Sequence, residues 1–95
     1  MSALIEHDVW IPALHRDLTA GVERVVIAGD TVGAVVKELE ARYPGIEDRL
    51  CEDGKLRPYI AVSVNGEISH RGLRERLPDK SDLHFIPALS GGSTS

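Results

Sequence analysis

The residues of this chain best suited to chemistry are two adjacent glycines near its end. After Pro87 the sequence runs Ala88-Leu89-Ser90-Gly91-Gly92-Ser93-Thr94-Ser95. Glycines carry no Cβ, so an extended thread of them fits a narrow cleft that any other residue would block. Such a tail is a poor structural element but a good substrate for another protein's active site. A chain cut after Gly92 would present an unhindered carboxylate, which ATP can activate as an acyl-adenylate. Gly91 would supply the access. Gly-Gly alone is a weak signal, because flexible ends often contain it.

The remaining reactive residue types form no constellation. His7, His15, His70 and His84 lack a second ligand at a zinc-site spacing and are expected to be scattered in solvent. Cys51 has no neighbouring histidine, and the nearby Lys55 does not by itself activate a thiol. A single cysteine excludes an intrachain disulfide and fits a reducing compartment. Glu52-Asp53 reads as part of a solvated loop. Gly29, Gly33 and Gly45 precede no Gly-Lys-Ser/Thr element, so they form no phosphate loop. We therefore expect no catalytic residues, no metal and no bound cofactor.

Size and charge narrow the class further. Ninety-five residues allow one modest core and leave no room for a large internal cofactor cavity. Fifteen acidic against eleven basic residues give a net charge of -4, and the basic ones are scattered along the sequence. Without a phosphate-tracking stripe, nucleic acid is not an expected partner. The chain shows neither an apolar run of bilayer length nor a secretion signal, so the expected location is cytoplasmic and off the membrane.

The elements that must carry the tail follow from periodicity. Residues 5–13 alternate as a strand, with Val9 and Ile11 on one face and Asp8 and Trp10 on the other. A second strand over 22–28 follows a Gly-containing loop, which suggests a hairpin. Val32, Val35, Val36, Leu39 and Tyr43 recur at helical offsets, with Asp30 or Thr31 as cap and Pro44-Gly45 as stop. Ile46 and Leu50 suit one further helical turn. Residues 59–65 alternate again and lead through Asn65-Gly66 into a short return at Glu67-Ile68. Leu73 and Leu77 anchor a turn. The last strand, 83–87, points Leu83 and Phe85 inward and His84 and Ile86 outward. The expected fold is α+β: a mixed sheet of four to five strands packed against one main helix. The domain spans 1–89, and residues 90–95 form a flexible tail.

Several stretches in this order and spacing resemble the ubiquitin-like β-grasp sulfur-carrier family. They are Val9-Trp10-Ile11-Pro12, Gly29-Asp30-Thr31-Val32-Gly33-Ala34-Val35, Glu38-Leu39-Glu40, Tyr43-Pro44-Gly45-Ile46, Val62-Ser63-Val64-Asn65-Gly66 and the run from Asp82 to Gly92. The family includes the small subunit of molybdopterin synthase, the thiamine-pathway sulfur carrier and the carrier of mycobacterial cysteine synthesis, which this chain resembles most.

The resemblance implies a carrier rather than an enzyme. A partner adenylyltransferase/sulfurtransferase, similar to the ubiquitin-activating enzymes, would use ATP to adenylate Gly92 and then convert it to a thiocarboxylate. A biosynthetic enzyme would take the sulfide, a pyridoxal-phosphate sulfhydrylase if the product is cysteine. Mature carriers of the family end at the second glycine, and some members carry a short extension that a JAMM-type zinc protease removes, so the resemblance also implies such a cut here between Gly92 and Ser93. Outward Ile86, with Leu89 near the tail, is the expected docking patch for these partners. Two rival functions share the fold: a protein modifier joined to lysines through Gly92, and a binding module that makes no use of its glycines.

Overall fold

Strict alternation makes the first strand. In β1 (Glu6–Trp10) His7 and Val9 are buried and lead to buried Ile11, while Asp8 and Trp10 turn to the opposite face. The computed structural model describes residues 5–87. β1 pairs antiparallel with β2 (Arg24–Ala28), as the expected hairpin. Both strands are shorter than the periodicity implied. Pro12 has no N–H to donate and instead leads into a 3-10 turn over Ala13–His15. The loop then returns through Ala20 and Gly21, both with positive φ.

Helix α1 (Val32–Arg42) starts where Thr31 Oγ1 accepts the Ala34 N–H at 3.1 Å, so the threonine rather than Asp30 is the cap. Val32, Val35, Val36 and Leu39 are all buried against the sheet. Each is worth about 1.5–3 kcal/mol of apolar burial. Gly33 lies against the Leu73 backbone: a Cβ there would sit 3.1 Å from Leu73 O. The Pro44-Gly45 stop operates as expected, with Gly45 at φ 102°. The Glu40 carboxylate then accepts the N–H groups of Gly45 at 3.1 Å and Glu47 at 2.9 Å, which joins α1 to the short helix α2 (Ile46–Leu50). These bonds hold Glu40 below the usual carboxylate range.

Two hairpins follow. The expected solvated turn at 52–55 is bracketed by paired dipeptides, β3 (Cys51–Glu52) and β4 (Lys55–Leu56), with Asp53 and Gly54 both at positive φ. β5 (Ile60–Val64) returns through Asn65-Gly66 to β6 (Glu67–Ile68), as the sequence implied. A 3-10 turn over Gly72–Arg74 leads to buried Leu77 and then to β7 (Asp82–Pro87). Ser63, expected to face outward, does so but is still buried, because His84 and Ile68 flank it across the neighbouring strands.

The sheet runs β2-β1-β7-β5-β6, with β7 parallel to β1 and antiparallel to β5. This is the expected α+β arrangement, a five-stranded mixed sheet with one main helix on its inner face. Val9, Ile27, Leu39, Ile46, Val62 and Leu83 are central to the core. On the open edge, the Arg42 guanidinium donates to Val26 O at 3.3 Å and covers one of the free carbonyls of β2.

Two of the histidines expected in solvent are interior. His7 is fully buried, its Nε2 donating to Gly29 O at 2.7 Å and its Nδ1 accepting the Ser81 N–H at 3.1 Å. Its partners therefore select the Nε2–H tautomer. It stays inside because both ring nitrogens are satisfied. His15, at the end of the 3-10 turn in the loop between β1 and β2, is buried as well.

Candidate functional site

β7 delivers the tail, and its position in the middle of the sheet governs where the tail leaves. The expected reactive and cleavage residues Gly91, Gly92 and Ser93, and the docking residue Leu89, lie outside the described residues. The last described residue, Pro87, is opposite Ile60, so the chain leaves β7 alongside the start of β5. Ile86 points away from α1, as expected, and is 42% exposed, whereas Phe85 belongs to the core. Ala61 lies across the ladder from Ile86, and half-exposed Tyr59 sits in the turn that leads into β5. Ile86 and Ala61 make a short apolar strip at the point of departure.

Beside this strip, the outer face carries a stacked pair. Trp10 and His84 are opposite each other in the parallel ladder, with ring centroids 5.4 Å apart and planes within 3°. The Arg24 guanidinium lies 6.0 Å from the tryptophan ring centroid and bonds Asp8 at 2.7 Å. Among the described residues the buried Trp10 Nε1–H has no acceptor. Periodicity placed Trp10 and His84 outward. Their meeting depends on the register of two strands far apart in sequence, which no local signal carries.

Elsewhere the reactive types remain apart. Burial, and secondarily Glu47, push the Cys51 thiol up, which makes it a poor nucleophile. It lines a cavity of about 600 Å³ whose Lys37 and Glu47 are paired with each other at 3.3 Å. Burial, and secondarily Arg49, hold His15 below the usual histidine range, while Asp17 opposes them weakly. Arg49 and Asp17 themselves pair at 3.1 Å. Among the described residues no three potential metal ligands come together. The basic residues behave differently from expectation: the fold gathers Lys55, Arg57, His70, Arg71 and Arg74, scattered in sequence, around one groove.

Among the described residues, then, no catalytic constellation assembles, and the chain is similar over most of its length to known small proteins. The ThiS family pattern matches residues 9–92, from within β1 through Gly92. The chain is 38% identical over 89 residues to the sulfur carrier protein CysO of Mycobacterium tuberculosis, covering 88% of this chain and 96% of that protein. It is 41% identical over 64 residues to small archaeal modifier protein 3 of Haloferax volcanii, covering 65% of this chain and 70% of that protein. In three dimensions it matches a chain of the Amycolatopsis orientalis BexX/CysO complex with a TM-score of 0.84 and 35% identity, over 90% of this chain and 99% of that one. It matches the crystal structure of M. tuberculosis CysO with a TM-score of 0.81 and 36% identity, over 87% and 99% respectively. The fold is the expected ubiquitin-like β-grasp, and the chain belongs to the ThiS family as a homologue of the sulfur carrier CysO.

Proposed function

We propose that this protein carries sulfur as a thiocarboxylate on Gly92. The observation that supports this reading is the likeness to CysO over 88% of the chain in sequence and 90% in structure, together with a ThiS family match that runs from residue 9 through Gly92. The Gly92 carboxylate attacks the α-phosphate of ATP on a partner adenylyltransferase, and pyrophosphate leaves. A sulfur donor then attacks the acyl carbon and AMP departs. On an accepting synthase, a pyridoxal-phosphate sulfhydrylase if the pathway makes cysteine, the thiocarboxylate sulfur bonds to the acceptor substrate, and water then cleaves the acyl bond and restores the Gly92 carboxylate. ATP belongs to the partner, and the carrier holds no cofactor.

Whatever follows Gly92, beginning with Ser93, must come off first, because a thiocarboxylate at Gly92 needs that residue's own carboxyl group free. A JAMM-type zinc protease cutting between Gly92 and Ser93 is the matching activity. Ile86 and Leu89 dock these cytoplasmic partners, whose active sites receive the tail. The test is intact mass after incubation with protease, ATP, sulfide donor and the cognate activating enzyme. Loss of the last three residues, then a gain equal to the difference between sulfur and oxygen, is the expected result. A folded chain ending at Gly92 that gains nothing from its true partner refutes the proposal.

The match to an archaeal modifier protein favours a second use of the same tail, conjugation to lysines through Gly92. Recovery of Gly92 in isopeptide linkage to other proteins of the native cell tests it.

A further inference from the structure

The β5–β6 hairpin ends early and leaves a sheet edge open. β6 pairs with Ser63 and Val64 only, and the bond from Ser69 N–H to Val62 O at 2.9 Å is the last rung. Backbone alternation determines what lies beyond it. Asn65 N–H donates to Asp82 O, so residues 61, 63 and 65 turn their amide groups toward β7 and residues 60, 62 and 64 turn theirs away. Arg57 O takes the Ile60 N–H at 2.9 Å. Ile60 C=O and Val62 N–H are left facing a groove of about 740 Å³ between β5, the β3–β4 hairpin and the 72–74 turn. Leu56, Ile60, Val62 and Leu73 give the groove apolar walls.

Its rim is positive in a chain whose net charge is -4. Lys55, His70, Arg71 and Arg74 surround the groove, and the last three also enclose an adjoining hollow of about 470 Å³. Among the described residues the four ion pairs use Arg24, Lys37, Arg49 and Arg57, and none uses Lys55, Arg71 or Arg74. Asp53 is the one acidic side chain lining the groove. The nearby Glu75 accepts from Ser69 Oγ at 2.7 Å.

We propose that this groove docks an extended acidic segment of a partner protein, added as a strand to the open edge of β5. Its main chain pairs with Ile60 C=O and Val62 N–H, alternate apolar side chains sit between Leu56 and Leu73, and carboxylates meet Lys55, Arg71 and Arg74. Strand addition supplies the affinity, and the charges supply the choice of segment. Charge argues against a second copy, since two chains of net charge -4 repel. The groove lies on the edge of β5 rather than on the outer face at Ile86, so a partner held there does not cover Ile86.

The test uses the full isotope-labelled chain and a short capped peptide of alternating glutamate and valine. Saturable binding is expected, with the largest amide shifts at 60–62 and 73. Affinity should fall about tenfold or more in the Arg71→Glu/Arg74→Glu variant and again at high salt. A peptide with alternate backbone nitrogens methylated should not bind, and this arm decides the matter even if the double variant fails to fold. Several results would each overturn the proposal: no binding at millimolar peptide, shifts confined to another face, or equal binding of the methylated peptide. So would displacement by inorganic phosphate at matching concentration, which makes this a simple anion site, or the same shifts on concentrating the protein alone.

Discussion

Replacing His7 with alanine removes two interior hydrogen bonds at once. The ring bridges Gly29 O at 2.7 Å, just before α1, and Ser81 N–H at 3.1 Å, just before β7. Neither group is within reach of water once the ring is gone, because His7 and Ser81 are both buried. Each buried polar group left without a partner costs about 1–3 kcal/mol. The emptied ring volume adds about 1 kcal/mol more. A loss of about 3–7 kcal/mol is expected, against about 5–14 kcal/mol for a domain of this length. With about 4–8 °C lost per kcal/mol, the melting temperature should drop by at least about 12 °C. Urea titration and thermal melts followed by circular dichroism measure both, with exposed His70→Ala as the control, expected within about 0.5 kcal/mol of the parent. His7→Asn can keep the Ser81 bond and His7→Gln the Gly29 bond, so each should lie between alanine and the parent. An alanine variant within about 1 kcal/mol of the parent, or amide variants no better than alanine, defeats the reasoning.

Two further outcomes are expected. His15 is held below its ordinary value of 6.5 in the fold, so the unfolded chain takes up a proton more readily. Its contribution to stability is therefore complete above pH 6.5 and declines as pH falls through the folded value; His15→Gln should flatten this part of a urea stability–pH curve, and an unchanged slope counts against it. Ile86→Asp alters an exposed position and should shift stability by less than about 1 kcal/mol. It should nevertheless slow thiocarboxylate formation on the activating enzyme about tenfold or more, as read by intact mass. Equal rates would remove Ile86 from the docking surface.

Local pattern carried much of this protein. Alternation located β1, β5 and β7, the 3–4 spacing located α1, and the Pro44-Gly45 and Asn65-Gly66 pairs marked where elements stop and turn. The outward direction of Ile86 followed from the same alternation. What stayed hidden depends on contacts between residues distant in the chain. His7 reads as one more polar residue until Ser81, far along the sequence, supplies its second partner. The Trp10–His84 stack requires the parallel register of β1 and β7. Lys55 and Arg71 meet across one groove because the β3–β4 hairpin folds over against the 72–74 turn.

The central place of β7 also has a mechanical side. The strand from which the tail emerges is laced along both edges, in register with β1 from Asp82 to His84 and with β5 from Leu83 to Pro87. A pull on the tail runs along the strand axis and loads these rungs together, in shear, instead of peeling them one by one. Force applied along β7 at Pro87 is therefore shared between two ladders instead of falling on one.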